Sequence, residues 1–322
     1  TMPITKHNYI VKDVTKLADT IRKAFTIART GRPGPVLIDL PKDVMAEMGS
    51  AEYPEDVNIR GYKPIKHAHV GQLKKAIGML NKAKKPLFLA GGGVVISRAN
   101  EAFTELVRKT NVPVVTTVMG RGAIPTNDPL YIGNLGMHGA YACNMAVREC
   151  DLLFSIGTRF NDRITGKLHS FAPNAQIVHI DIDTAAISKN VQVNVPIVAD
   201  AKAALTEMDA HTSRCKTDDW IADIMKWKEE IPITMKNYEG MTPEDIINGI
   251  NEIFPDATVT TDVGQNQLWT TQYLAMNGKR KFLTSGGLGT MGYGLPSAIG
   301  AYLGEKAGHV ICIAGDGGAQ MN

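Results

Sequence analysis

Apolar positions recur at helical spacing over residues 13–29, where Val14, Leu17, Ile21, Ala24, Phe25 and Ala28 share one face. Gly31 offers a C-terminal stop and Pro33 prevents continuation. The run from Pro35 to Pro41 then reads as a short buried strand between two prolines. Residues 46–70 are polar and broken by Pro54, Gly61 and Pro64, as a linker would be. From Val70 the pattern predicts a helix (70–83), a strand (86–90), a glycine turn (91–93), a helix (98–110) and a strand (112–116). A helix near 138–149 and strands at 151–156 and 176–182 follow. Strands alternating with helices imply a parallel sheet covered on both faces, and the unbroken apolar run Leu152–Ile156 suits such a sheet. Residues 207–240 read as an amphipathic connecting helix. The pattern then restarts with a helix opened by Thr242-Pro243, a strand at 258–261 and a glycine-rich segment at 285–294. A further helix precedes an apolar strand that runs into Gly315. The expected fold class is α/β, with doubly wound parallel sheets.

Composition adds bounds. Length suggests two domains, or parts of three. With 44% hydrophobic and 21% charged residues, the chain has ample material for a core. A net charge of +3, evenly spread, calls for no nucleic acid and no membrane surface. Cys143, Cys150, Cys215 and Cys312 form no C-x-x-C pair, so free buried thiols in a reducing compartment are expected.

The candidate chemistry lies in glycine turns after apolar runs. Gly91-Gly92-Gly93 follows a strand and precedes a helix, which is dinucleotide-binding geometry or a tight turn. Asp181 and Asp183 stand at a strand end, where carboxylates bind ribose hydroxyls or cap helices. Arg159, Asp162 and Arg163 crowd one loop, fit for a phosphate or for a solvated ion pair. Asp262–Asn266 and Ser285–Met291 are glycine-bearing segments in the same region as Gly315-Asp316-Gly317. There glycines let backbone approach an anion, and one carboxylate can share a magnesium ion with phosphate. His138, near a helix start, reads as a capping or packing residue. No Ser-His-Asp or Cys-His arrangement stands out.

Together these segments resemble the acetohydroxyacid synthase (acetolactate synthase) family, in its large catalytic subunit. The resemblance runs along essentially the whole chain. It is carried by Ile4–Asn8, Gly31–Pro35, Leu89–Gly93, Met119-Gly120, Leu135–Gly139, Arg159–Gly166, His179–Asp183, Val263–Gln265, Ser285–Gly289 and Gly315–Gly317. The Arg-Phe-Asn-Asp-Arg and Gly-Met-His-Gly segments are its specific part. Other thiamine-diphosphate enzymes share the glycine motifs but generally not these two.

The resemblance implies a fragment with five parts. Residues 1–45 would close an N-terminal, pyrimidine-binding domain, and 46–69 would be a linker. Residues 70–206 would be a Rossmann-like FAD-binding central domain, 207–240 a connector, and 241–322 the first half of a C-terminal domain binding diphosphate and Mg²⁺. The implied activity decarboxylates pyruvate on thiamine diphosphate. It then transfers the hydroxyethyl group to pyruvate or 2-oxobutyrate, in branched-chain amino-acid biosynthesis. FAD would be structural. The implied FAD set is Arg32, Gly91, Gly92, Thr117, Met119, Met137, His138, Arg159, Asp162, Ile164, Asp181, Ile182 and Asp200. The implied diphosphate set is Val263, Gly264, Gln265, Asn266, Gly289, Met291, Asp316, Gly317 and Gly318, with Asp316 the metal ligand. Lys42, Asp162 and Arg163 match positions where herbicides bind. Asn266 stands where many members have His. The catalytic glutamate and a second metal ligand would lie outside these residues, so the fragment alone is expected to be inactive. A homodimer or tetramer, and a small regulatory subunit, are implied partners of the full-length protein. The implied compartment is the cytoplasm in a bacterium, and a plastid or mitochondrion in a eukaryote. A pyruvate oxidase, a glyoxylate carboligase, or a flavin-binding module without catalysis are the alternatives.

Overall fold

The computed structural model describes residues 1–50, 52–305 and 308–322. Residue 51 of the expected linker, and 306–307 of the expected C-terminal half-domain, lie outside the described residues. The chain divides after Lys66 into two compact units.

The first unit contains β1 (His7–Ile10), α1 (Leu17–Arg29), β2 (Val36–Asp39) and α2 (Lys42–Ala46). β1 pairs parallel to β2, with Asn8 opposite Leu37. The buried stripe of α1 runs through Ala24 and Ile27, one turn apart, while Phe25 is 58% exposed. The helical face expected from periodicity is therefore rotated, because the contact narrows to one row of residues. Gly31 adopts φ 59°, the left-handed stop its position required. β2 is half-buried rather than buried. Lys6 Nζ donates to the Ile27 carbonyl (2.6 Å) and to the Tyr62 hydroxyl (3.0 Å), so the part of the expected linker around Tyr62 is held to the first unit.

The second unit opens with α3 (Val70–Leu80), β3 (Pro86–Ala90), α4 (Gly92–Ile96), α5 (Asn100–Thr110), β4 (Val114–Thr116) and β5 (Tyr131–Asn134). It continues with α6 (Tyr141–Glu149), β6 (Leu152–Ile156), α7 (Asp162–Thr165), β7 (Gln176–Asp181), β8 (Val195–Val198), α8 (Ala201–Asp209) and α9 (Asp218–Glu230). The six strands form one parallel sheet in the order β5-β4-β3-β6-β7-β8. Alternation along β3 sends Phe88 and Ala90 into one core and Leu87 and Leu89 into the other. Phe88 packs edge-on against Phe103 and Phe154, with centroids 5.9 and 5.5 Å apart. On the opposite face Trp220 of α9 is buried and donates from Nε1 to the Pro86 carbonyl at 3.1 Å. Thus α9 covers the sheet as well as connecting what flanks it.

A second, three-stranded parallel sheet follows in the order β10-β9-β11. Its elements are α10 (Pro243–Ile253), β9 (Thr258–Thr261), α11 (Gln265–Tyr273), β10 (Phe282–Thr284), α12 (Gly294–Glu305), β11 (Val310–Ile313) and α13 (Asp316–Ala319). Thr242 starts α10 with a reciprocal capping box, donating its N–H to Asp245 at 2.8 Å and accepting the Asp245 N–H at 3.3 Å. Among the described residues, no helix is long and apolar enough to cross a membrane.

Candidate cofactor cleft

Strand order in the larger sheet reverses between β3 and β6. In open parallel sheets, ligands bind beyond the strand C-termini at such a point. Here two glycine turns dovetail. Gly91 donates its N–H to the Ile156 carbonyl (2.9 Å) and Gly93 to the Gly157 carbonyl (3.0 Å). A methyl at Gly91 would meet the Gly157 oxygen and lie 2.7 Å from both Gly157 C and Thr158 Cβ. Two N–H groups of the glycine triplet are thus spent on turn-to-turn packing. The triplet makes a close approach of backbones.

All the central candidates lie on this C-terminal edge. Gly91 and Gly92 follow β3, Thr117 and Met119 follow β4, and Met137 and His138 follow β5. Arg159, Asp162 and Ile164 follow β6, Asp181 ends β7 before Ile182, and Asp200 follows β8. Arg32 belongs to the first unit, between α1 and β2, and Lys42 opens α2 there.

The two most specific segments meet. Met137 donates its N–H to the Arg163 carbonyl at 2.9 Å. Gly136, at φ 112°, lets the chains pass; a methyl there would lie 2.5 Å from the Arg163 oxygen. The arginine loop is pegged by buried Phe160, edge-on to His179 (4.9 Å) and to Phe171 (5.9 Å), and Asn190 donates to its carbonyl at 2.9 Å. That peg leaves Arg159 exposed at the edge. The Asp162–Arg163 pair, 4.0 Å apart with both side chains in solvent, contributes little stability. His138 is exposed and precedes the N-cap of α6, so it neither caps nor packs as expected.

Several candidates already carry structural bonds. Thr117 Oγ1 accepts the Gly120 N–H at 3.0 Å, and Asp200 Oδ1 caps α8 through the Ala203 N–H at 3.1 Å. Asp181 Oδ1 accepts the Asp183 N–H at 2.8 Å. Buried His179 lies beneath it, its Nε2 2.8 Å from the Thr158 carbonyl and 3.6 Å from Asp181 Oδ2.

The smaller sheet repeats the arrangement. Val263, Gly264, Gln265 and Asn266 follow β9, Gly289 and Met291 follow β10, and Asp316, Gly317 and Gly318 follow β11. Asn266 Nδ2 bridges the carbonyls of Asp262 (3.1 Å) and Ile313 (2.7 Å), tying two strand ends together. Asp316 is exposed at the first position of α13. Among the described residues no cluster of three or more His, Cys, Asp or Glu could hold a metal. Asp316 is thus a lone carboxylate, which suits a magnesium ion held by one or two carboxylates together with other oxygens such as those of a phosphate.

Asp262 opens one of the candidate glycine-bearing segments but is not in the implied diphosphate set. Its buried carboxylate accepts N–H groups from Val263 (2.8 Å), Gly292 (3.2 Å) and Gly294 (3.0 Å). Burial works to raise its pKa, but the Gly294, Val263 and Gly292 bonds together hold it below the ordinary carboxylate value. The signal is an Asp directly after a β-branched strand and before Val-Gly, which alone also fits an ordinary turn.

The two sheet edges face one another. Gly286, after β10, lies so close to Met119 that a methyl there would sit 2.6 Å from its sulfur. Gln272 of α11 donates to the His138 carbonyl at 3.3 Å. Behind them, buried Arg121 donates to Tyr131 Oη (3.2 Å) and to the Leu274 carbonyl, while Asn134 donates to the Thr271 carbonyl at 2.7 Å. Loops at the C-terminal ends of the two sheets thus meet within the second unit, and the end of α11 is anchored to the larger sheet. Cys143 and Cys150 are no part of it, and burial in the core pushes each thiol up to about 12.

Residues 73–208 match the central domain of thiamine pyrophosphate enzymes, and 262–322 match their C-terminal TPP binding domain. The chain is 46% identical over 343 residues to a probable acetolactate synthase large subunit of Methanococcus aeolicus. It is 45% identical over 335 residues to one of Methanocaldococcus jannaschii, and 42% over 334 to an acetolactate synthase large subunit of Cyanidium caldarium. Each alignment takes in 100% of this chain and 57% of the relative. The chain thus spans just over half the length of the curated relatives it matches.

Proposed function

Since the chain belongs to the thiamine pyrophosphate enzymes, and is homologous along its whole length to acetolactate synthase large subunits, we propose that it supplies much of the cofactor cleft of an acetolactate synthase. The whole protein would take pyruvate and a second 2-oxo acid, pyruvate or 2-oxobutyrate, to acetohydroxy acids for branched-chain amino-acid synthesis. The observation that carries this reading is the meeting of the Leu135–Gly139 and Arg159–Gly166 segments on the edge that faces the second sheet. A pyruvate oxidase or glyoxylate carboligase shares the glycine turns, but those two segments favour the synthase.

Thiamine diphosphate, when bound, supplies the carbanion chemistry that cleaves and joins 2-oxo acids. The residues after β9, β10 and β11 fit its diphosphate end. Gly264 (φ 134°) and Gly289 (φ 65°) hold conformations that favour glycine, so backbone can approach an anion there. Asp316 offers the single carboxylate that a magnesium ion shared with phosphate oxygens requires. Gln265 and Asn266 begin α11, whose first N–H groups favour negative charge.

Residues 70–206 would hold FAD along the larger sheet's edge. Exposed Arg159 presents a planar fork to a phosphate. Met119 and Met137, 47% and 61% exposed, give soft apolar surface for a flavin ring. Asp181 and Asp200 each spend one oxygen on a backbone N–H and would meet ribose through the other. The whole protein would assemble as a homodimer or tetramer, with a small regulatory subunit.

A visible spectrum of the purified chain, before and after FAD addition and desalting, tests the flavin assignment. A retained flavin band, lost in Arg159→Ala, supports it. A chain that never retains FAD refutes it. Acetolactate formation from pyruvate by the protein carrying this sequence tests the activity; a different product would refute the synthase reading.

A further inference from the structure

Three loops of the smaller sheet converge on one carboxylate. Asp262 Oδ1 accepts the N–H groups of Val263 (2.8 Å) and Gly292 (3.2 Å), and Oδ2 accepts that of Gly294 (3.0 Å). The first lies in the loop after β9, the second in the glycine segment between β10 and α12, and the third at the first residue of α12. The third loop, after β11, packs against the same group. A methyl on Gly318 would lie 2.5 Å from Asp262 Cγ and closer still to Oδ1. Asp262 is 1% exposed, so a ligand does not touch it.

We propose that Asp262 is a positioning residue, which draws these three loops together before any ligand arrives and so sets the spacing of Val263–Asn266, Gly289–Met291 and Asp316–Gly318. This rests on the reading that those residues hold a diphosphate and its magnesium. A carboxylate suits the task because it only accepts, and three donors converge on it. An amide in its place would turn an NH₂ group toward at least one N–H, leaving buried donors unpaired. Gly318 meets the complementary requirement, since only a residue without Cβ lets the third loop close onto the carboxylate.

The experiment has a ligand-free arm and a ligand arm. Amide hydrogen exchange on the unliganded chain should show protection at Val263, Gly292 and Gly294. In Asp262→Asn and in Gly318→Ala, exchange at these amides should rise about tenfold or more, for loss of a bond to a charged group. Far-UV circular dichroism and protection in the six-stranded sheet should stay unchanged. Unprotected amides in the parent chain, or protection unchanged in both variants, would overturn the proposal whatever the ligand is. Titration of the whole protein carrying this sequence, parent and variants alike, with Mg²⁺ and thiamine diphosphate, followed by tryptophan fluorescence, then tests the consequence. The parent chain should bind, and each variant should bind roughly tenfold or more weakly. Equal affinity in parent and variants would overturn the positioning role. Protected amides with no binding by the parent would instead overturn the diphosphate reading and leave the clamp standing.

Discussion

Gly91→Ala tests the dovetailed turns at the sheet reversal. The new methyl meets the Gly157 carbonyl oxygen and carbon and Thr158 Cβ, the latter two at 2.7 Å. The Gly157 atoms are backbone, so relief requires moving one turn away from the other rather than turning a side chain. Overpacking of this kind costs about 1–3 kcal/mol. The displacement also strains the Gly91–Ile156 and Gly93–Gly157 hydrogen bonds, each worth about 0.5–1.5 kcal/mol. Together the expected loss is about 2–6 kcal/mol. Thermal unfolding followed at 222 nm should register it as a fall of roughly 5–15 °C for a unit of this size. Gly92→Ala is the internal control. Its methyl would first meet the Met119 Cβ at 3.1 Å, with helical backbone and one side chain able to adjust. That change should stay within about 1 kcal/mol of the parent. If Gly91→Ala melts with the parent, or Gly92→Ala falls further than Gly91→Ala, the turns do not interlock as described.

Thr242→Ala removes the hydroxyl that accepts the Asp245 N–H, one half of the capping box on α10, and should cost about 1 kcal/mol, measured by urea unfolding. The Asp262 pKa lies below its ordinary 3.8 in the folded chain, so its contribution is complete above that value and is lost as pH falls through the folded pKa. Unfolding midpoints should therefore drop below about pH 4 in the parent and less so in Asp262→Asn; identical acid profiles would remove the effect. With thiols pushed up to about 12 by burial, Cys143 and Cys150 should resist a thiol reagent at pH 8 and react after denaturation, as peptide mass spectrometry would record.

The larger part of the fold is legible in the sequence, because period-2 and period-3.6 apolar patterns report burial directly. The strand at 86–90 stands where the apolar run placed it, and α5, α6 and β7 lie within a few residues of their expected bounds. β5 and β8 escape the pattern, since four-residue strands carrying Gly133, Asn134 or Pro196 bury too few apolar groups to stand out. β1 escapes for a like reason, being paired at an edge with half its residues exposed. Phe25 shows a limit of another kind: periodicity names a face, but the neighbour decides how wide a stripe is covered.

For the site, the sequence by itself determined which residues could do chemistry, because glycine, arginine and aspartate after a strand are informative one segment at a time. Only the tertiary structure decided what they do together. It spent the glycine triplet on backbone packing, and it brought the Met137 and Arg163 loops into contact across 26 positions of chain. It also made Asp262 the meeting point of three loops from segments up to 56 residues apart, as Gly318 lies from it in sequence. Parallel strands put their C-terminal ends on one edge, so groups scattered along the chain converge there. No local pattern carries that convergence, because it is a property of strand order.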